Sequence, residues 1–269
     1  MDSAGVCEFT GTKDVEKSAI NDKVLQFFND TTEKRDDEYY VRLAFEQDHP
    51  PLRTNKALAF KCLGSVLKML KSNAKLLEDY DDTFRTQLDN GIIEEIPEGQ
   101  GKRGVIHYTP HQPLIIPHKE TTKLRTVFDT SSQFKDCPSL NYVRHQGPLI
   151  LPNTQCCYAS GCHTELDRDA TRFFWVRDYR KDPTDDNILT YRFTRVTFGL
   201  NVSPFLLGAT VHYHMRNAIQ DKELEKEIRE NLYADNLILV AETKRKYSLG
   251  QRAIHRRTRR DGRRGGRGT

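Results

Sequence analysis

Apolar residues along this chain recur first at a helical period and then, past residue 92, at the shorter period of strands. Ala59, Leu63, Val66, Leu67 and Leu70 fall on one face of a 3.6-residue repeat, and Thr54 stands ahead of them as a helix N-cap. A second helix is predicted from about Ala74. Leu77, Tyr80, Phe84 and Leu88 share its face, and Gly91 follows as a stop. Upstream, residues 1–38 are polar except for a cluster at Val24–Phe28, which predicts a short helix with flexible flanks. Tyr39 to Phe45 alternates in part, as a strand does, before Pro50-Pro51 interrupts the pattern.

From Ile92 onward, Gly104–Tyr108, Leu114–Ile116 and Leu124–Phe128 are short apolar runs between prolines and charged turns, the pattern of strands. Pro138 to Pro152 reads as a loop, and residues 153–166, NTQCCYASGCHTEL, have no clear period. Arg172–Val176 and Tyr191–Val196 are further strand patterns. Ser203-Pro204 opens a helix, with serine as cap and proline at its first position, running to about Ile219. The charged stretch Asp221–Glu230 follows it. Then Leu232–Val240, LYADNLILV, sets an Asp-Asn pair between apolar runs, a hairpin signal with acid at the turn. The alternation of helices and strands predicts a mixed α+β fold.

Composition adds a division of charge. From Lys244 the chain has eleven Lys and Arg against one acid, Asp261, while the preceding 243 residues hold 31 basic and 37 acidic residues. All the excess positive charge therefore lies in a tail, 244–269, that is rich in Arg and Gly, lacks hydrophobic period and is expected to be disordered. For the rest of the chain, nucleic-acid binding needs a local basic patch. No apolar run reaches membrane-spanning length, and the N-terminus has no signal-peptide core. The chain is accordingly expected to be intracellular, cytoplasmic or nuclear, and not secreted. Its six cysteines are then expected to be reduced thiols. Cys156, Cys157, Cys162 and His163 have the spacing C-C-x4-C-H. Adjacent cysteines rarely both reach one ion, so zinc is not expected.

Three stretches carry candidate chemistry. In Tyr233-Ala234-Asp235-Asn236 a carboxylate stands on a tight turn between apolar strands, where it could hold a divalent metal; an ordinary Asp-Asn hairpin is the plainer alternative. In Phe198-Gly199-Leu200-Asn201-Val202-Ser203, a glycine between strand and helix permits close backbone approach to a ligand or template, or simply makes a loop. In Lys123-Leu124-Arg125, alternation puts both cations on one strand face, suited to phosphates or merely solvated.

Taken in order, KLRTVFDTSS, DRDATRFFWVRD, YRFTRVTFGLNVSPFLLGAT and NLYADNLIL resemble reverse transcriptases of the Pao/BEL class of long-terminal-repeat retrotransposons. HPPL, LDNGIIEEIP and HYTPHQPLIIP upstream resemble that family's fingers, so the likeness spans roughly Tyr39 to Glu242. It implies a right-hand polymerase fold, an RNA/DNA template-primer and deoxynucleotides as partners, and Mg2+, or Mn2+, as cofactor. It also implies roles for individual residues. Asp235 would be a catalytic, metal-binding carboxylate, with Asn236 beside it at the metal and Tyr233 at the nucleotide site. Phe198, Gly199 and Ser203 would line the template and nucleotide site, and Lys123 and Arg125 would face the triphosphate. The chain then divides into a polar segment (1–38), fingers and start of palm (39–152), an aberrant junction (153–166), palm (167–243) and the basic tail (244–269).

The junction departs from the family. Where a strand like A-D-[IV]-E-K-A-F should carry the first metal-binding aspartate, residues 153–166 have no aspartate, and no matching strand is expected. The nearest carboxylates are Glu165, Asp167 and Asp169. Two-metal chemistry needs carboxylates converging from at least two elements. The expectation is therefore a partial palm without its first catalytic strand, in a reverse-transcriptase-like domain of a retrotransposon-derived polyprotein that is inactive as written. The family pattern is also expected to break off near Glu242, before a thumb or RNase H domain. The competing expectation is a nucleic-acid-binding protein that uses the fingers and the basic tail.

Overall fold

A computed structural model describes residues 10–46, 48–96, 104–116, 124–150, 161–197, 199–230, 232–233 and 236–237. In chain order the elements are α1 (Thr10–Thr31), β1 (Glu33–Arg35), β2 (Glu38–Val41), α2 (Lys56–Leu70), α3 (Ala74–Asp89), β3 (Ile93–Glu95), β4 (His111–Ile115) and β5 (Leu124–Phe128). They continue with β6 (Cys162–His163), α4 (Glu165–Arg168), β7 (Arg172–Val176), β8 (Ile188–Phe193), α5 (Ser203–Ala218), α6 (Lys222–Glu230), β9 (Leu232–Tyr233) and β10 (Asn236–Leu237). The fold is mixed α+β, with small sheets: β1-β2-β6, β3-β8-β7 and the ribbons β4-β5 and β9-β10.

The helical stripe of α2 is the one the apolar period specified: Ala59, Leu63, Val66, Leu67 and Leu70 are all buried. It covers one side of β7. Phe174 stacks on Tyr108, with ring centroids 4.6 Å apart, and meets the edge of Phe60. The other side of β7 belongs to α3. Trp175 packs on Tyr80 and Phe84, and Phe173 lies within ring contact of Phe84, Phe128, Tyr191 and Phe193. Phe173 through Val176 are thus buried without a break, because helices and rings cover both faces of the strand. Within this core Trp175 Nε1 donates to Asp81, 2.8 Å away, which makes a buried polar pair rather than an orphan.

A second core forms around α5. Val24 and Phe28 of α1, Val41, Leu43, Leu140 and Ala170 pack against Leu200, Val202, Phe205, Leu206 and Ala209. Phe28 meets the edges of Phe205 and Tyr213, and the Tyr39 hydroxyl lies 2.9 Å from His214 Nδ1. The chain returns between the two cores at residues 167–171, where the Asp167 side chain bonds to Leu43 N on one side and the Asp169 side chain to Arg172 and Arg192 on the other.

Several local expectations are corrected. α1 is 22 residues long, well beyond Val24–Phe28, since two buried anchors suffice to dock a helix whose other turns face solvent. The strand expected over Tyr39–Phe45 ends at Val41 and pairs with β1 as a hairpin. The α2 N-cap is Asn55, in the left-handed region at φ 57°, rather than Thr54. Its Nδ2 donates to Tyr108 O at 3.3 Å, so a tertiary contact overrides the local cap preference. Leu88 is exposed and Gln87 takes its place on the buried face of α3. Gly104–Tyr108 is not a strand, although Tyr108 bridges Arg172. The ribbon strand is His111–Ile115 rather than Leu114–Ile116. The residue before α5 is Val202, and Ser203 is its first helical residue. Within the interval expected to lack a strand, Cys162–His163 forms β6, parallel to β2 with Tyr40 opposite Cys162. The residues before it, 151–160, and the tail expected to be disordered lie outside the described residues. Among the described residues no helix is long and apolar enough to cross a membrane.

His111 gives this fold a pH dependence. Its Nε2 donates to Phe174 O at 2.8 Å, so its Nδ1 is the acceptor facing the Tyr80 hydroxyl at 2.8 Å. Burial pushes its pKa down from 6.5 to about 4. The native state therefore refuses a proton that the unfolded chain accepts. Stability should be constant above the unfolded value and fall as pH drops from about 6.5 towards 4, by at most about 1.4 kcal/mol per pH unit for this group. Urea unfolding across that range should show the decline, and His111→Phe should make it shallower, the remainder coming from the other buried histidines, His163 and His107.

Candidate functional site

The sequence elements proposed to grip nucleic acid are brought together by one close backbone approach. β5 pairs with β4 so that Arg125 stands opposite Leu114 and Val127 opposite Gln112. These four are exposed on one face, while His111 and Phe128 turn inward on the other, as strand alternation requires. The result is an exposed ribbon face with one cation among apolar and amide side chains. Lys123 lies outside the described residues.

At the inner end of β5, Phe128 meets Gly199. Gly199 has φ 92°, and a Cβ there would lie 2.5 Å from Phe128 O. The glycine is needed for contact with this chain's own backbone. Its carbonyl accepts hydrogen bonds from the Thr130 hydroxyl and from Asn141 Nδ2, the latter at 3.1 Å. Asn141 also receives Asn201 N on its Oδ1 at 3.0 Å, and its backbone oxygen accepts from Asn201 Nδ2 at 2.9 Å. This amide clasp joins β5, the loop after it and the start of α5. No sequence period singles out Asn141. The available signal was apolar Leu140 and Val143 inside a stretch read as loop, both fully buried. Ser203 is half-buried, and its hydroxyl donates to Thr197 O at 2.5 Å, closing the same turn from inside. Phe198 lies outside the described residues.

The turn expected to carry the metal follows α6, which packs on α5 through Met215, Leu224 and Ile228. β9 and β10 pair antiparallel with Tyr233 opposite Asn236 and Leu232 opposite Leu237. That register leaves two residues, Ala234 and Asp235, between the paired positions. Asp235 itself, and the side chains of Tyr233 and Asn236, lie outside the described residues.

Two of the other carboxylates weighed as metal ligands, Asp167 and Asp169, have structural duties. Asp167 is buried: it accepts Arg42 Nε at 2.7 Å, Leu43 N at 3.0 Å and the Thr164 hydroxyl at 3.2 Å. Asp169 is wholly buried and accepts Arg192 Nη1 at 2.7 Å and Arg172 Nε at 3.1 Å. Arg192 in turn shares Glu94 with Arg168, at 2.7 and 3.2 Å. Glu165 is exposed on the short helix α4. Among the described residues no three His, Cys, Asp or Glu side chains are grouped to hold a metal ion; Asp235, the carboxylate that the resemblance gives to magnesium or manganese, lies outside them. Cys162 is buried, and burial pushes its thiol pKa up to about 11, which leaves it an inert neutral thiol.

No family model and no curated protein matches the chain. Among solved structures it is similar to a Prototype Foamy Virus protease-reverse transcriptase, a selenomethionine-labelled CSH mutant, at 12% identity and a TM-score of 0.41. The match covers 95% of this chain and 30% of that one, so the chain spans less than a third of that protein's length.

Two substitutions separate structural duty from ligand duty. Gly199→Ala combines positive φ with a backbone clash and should cost about 2 kcal/mol or more in urea unfolding. Asp169→Ala removes the carboxylate of half-buried Arg172 and leaves Arg192 with Glu94 alone, and should cost about 3 kcal/mol, with magnesium giving no protection to either protein. A metal-dependent melting temperature that disappears in Asp169→Ala would overturn the structural assignment.

Proposed function

We propose that the chain is a reverse-transcriptase-like domain of Pao/BEL retrotransposon type that binds template-primer through the β4–β5 ribbon and does not polymerise. The ordered blocks from KLRTVFDTSS to NLYADNLIL support the family reading. The observation that carries the loss of activity is the commitment of the buried carboxylates of Asp167 and Asp169 to arginine pairs, in a chain with no aspartate in residues 153–166. Phosphoryl transfer depends on positioning and charge stabilisation more than on covalent chemistry. Asp235 as a single palm carboxylate cannot hold two ions about 4 Å apart. Each tenfold loss of rate corresponds to about 1.4 kcal/mol of transition-state stabilisation, and a loosely held ion costs several such factors. Binding asks for less. A guanidinium such as Arg125 pairs with phosphate oxygens, and the exposed side chains around it, Leu114, Gln112 and Val127, can lie against bases.

The charge distribution favours a second reading in which the Arg/Gly tail supplies the affinity, because its eleven cations stand against one acid. The two readings separate by deletion. The full chain should give no primer extension with dNTPs and either magnesium or manganese. It should retain salt-dependent binding to an RNA/DNA primer-template, weakened several-fold by Arg125→Ala and unchanged by Asp235→Ala. Binding abolished by removing residues 244–269 and indifferent to Arg125→Ala would transfer the function to the tail. Magnesium-dependent extension lost in Asp235→Ala would show a working polymerase and sink the proposal.

A further inference from the structure

Arg144 brings a guanidinium into the protein interior with no carboxylate set against it. Residues 143–145 run antiparallel to residues 44–46, with Glu46 N donating to Val143 O at 3.0 Å and His145 N donating to Ala44 O at 3.1 Å. Between these bonds Phe45 and Arg144 bridge, and Arg144 is only 2% exposed. Its Nε donates to Leu140 O at 3.2 Å, and its Cζ lies 5.9 Å from the centre of the Phe45 ring. Nη1 and Nη2 are both buried and have no hydrogen-bond partner among the described residues. Burial lowers the pKa to about 9, which leaves the group charged at neutral pH.

The acid whose field reaches Arg144 is Asp167, and that carboxylate is already taken by Arg42, Leu43 N and the Thr164 hydroxyl. A second buried group shares the surroundings. His163 is fully buried and neither of its ring nitrogens has a partner. Burial, and then the charges of Arg144 and Arg168, push its pKa down to about 3. His107 is buried within reach of the Arg144 charge. Its Nδ1 donates to Arg53 O at 2.9 Å, so its unpartnered Nε2 is a lone pair and not a donor. Arg144 thus contributes the outer fork of a guanidinium, and neutral His163 one N–H, within a region that holds no free acid among the described residues.

We propose that Arg144 and His163 form an internal anion-binding site that takes one small inorganic anion, a halide or an oxyanion of the phosphate class. Two considerations support it. A buried, protonated guanidinium with four unmade N–H bonds demands an acceptor, and the interior supplies only part of the countercharge, at Asp167. The fork of Nη1 and Nη2 matches both the paired oxygens of an oxyanion and a single halide placed between them. The anion would join the 143–145 segment to β6, and so stabilise the native state by mass action.

The test uses the full chain at fixed ionic strength. Sodium gluconate is replaced stepwise by chloride, bromide, sulfate or phosphate, and thermal unfolding is followed. The expected result is a rise in melting temperature on the order of 5 °C over a hundredfold range of one of these anions. A larger response to chloride and bromide identifies a halide site, and a larger response to sulfate and phosphate an oxyanion site. The dependence should vanish in Arg144→Met. If that variant does not fold, chloride-35 line broadening in the unmodified chain, reversed by addition of the effective anion, reads the site directly. A melting temperature identical in all the salts without line broadening, or the same ion dependence in Arg144→Met, would overturn the proposal and leave Asp167 as the sole countercharge.

Discussion

The fold turns on two desolvated carboxylates two residues apart. Asp167 holds Arg42 and the backbone of Leu43, and so fixes the segment that leaves β2 and enters the core around α5. Asp169 holds Arg172 and Arg192, and so fixes β7 against β8 inside the aromatic core. Its backbone oxygen also accepts His107 N at 3.1 Å. Burying a carboxylate is costly unless it is paired and hydrogen-bonded. Each of these acids is met by at least one guanidinium, so the turn between them becomes the joint of the two cores.

The same joint limits the chemistry. A buried acid whose oxygens are already taken by guanidinium and backbone donors presents none of them to a metal ion without breaking those pairs. The acids that look closest to a catalytic strand in the sequence are therefore structural in the folded chain. The ribbon of β4 and β5 is under no such demand. Its inner face is tied down by His111 and Phe128, and its outer face, with Arg125, is exposed.

The contact of Gly199 with Phe128 shows how backbone geometry and site location are coupled. A side chain at residue 199 would collide with a carbonyl oxygen, so only glycine lets β5 and the start of α5 approach this closely. Asn141 then bonds to both partners. Residues far apart in the chain, Phe128, Asn141 and Gly199, meet through this approach.

The sequence by itself determined the elements whose burial follows a simple period. The α2 stripe, α3 apart from its last turn, β5, β7 and the existence of a hairpin after α6 were legible, because a 3.6- or 2-residue repeat, or a turn between apolar runs, states which side faces inward; the turn was read at Asp235-Asn236, whereas Asn236 pairs with Tyr233. The Gly199 turn was legible as a need for glycine, though not as an approach to Phe128. What only the tertiary structure decided is the set of contacts made between distant segments. Asn55 displaces Thr54 as cap because Tyr108 O lies within reach of its amide. Cys162–His163 becomes a strand because β2 offers it an edge. Asp167 and Asp169 become buried counterions because Arg42 and Arg192, 125 and 23 residues away, fold over them. Local pattern records whether a side chain prefers water; which charge will meet it after burial depends on chain segments that the pattern does not relate.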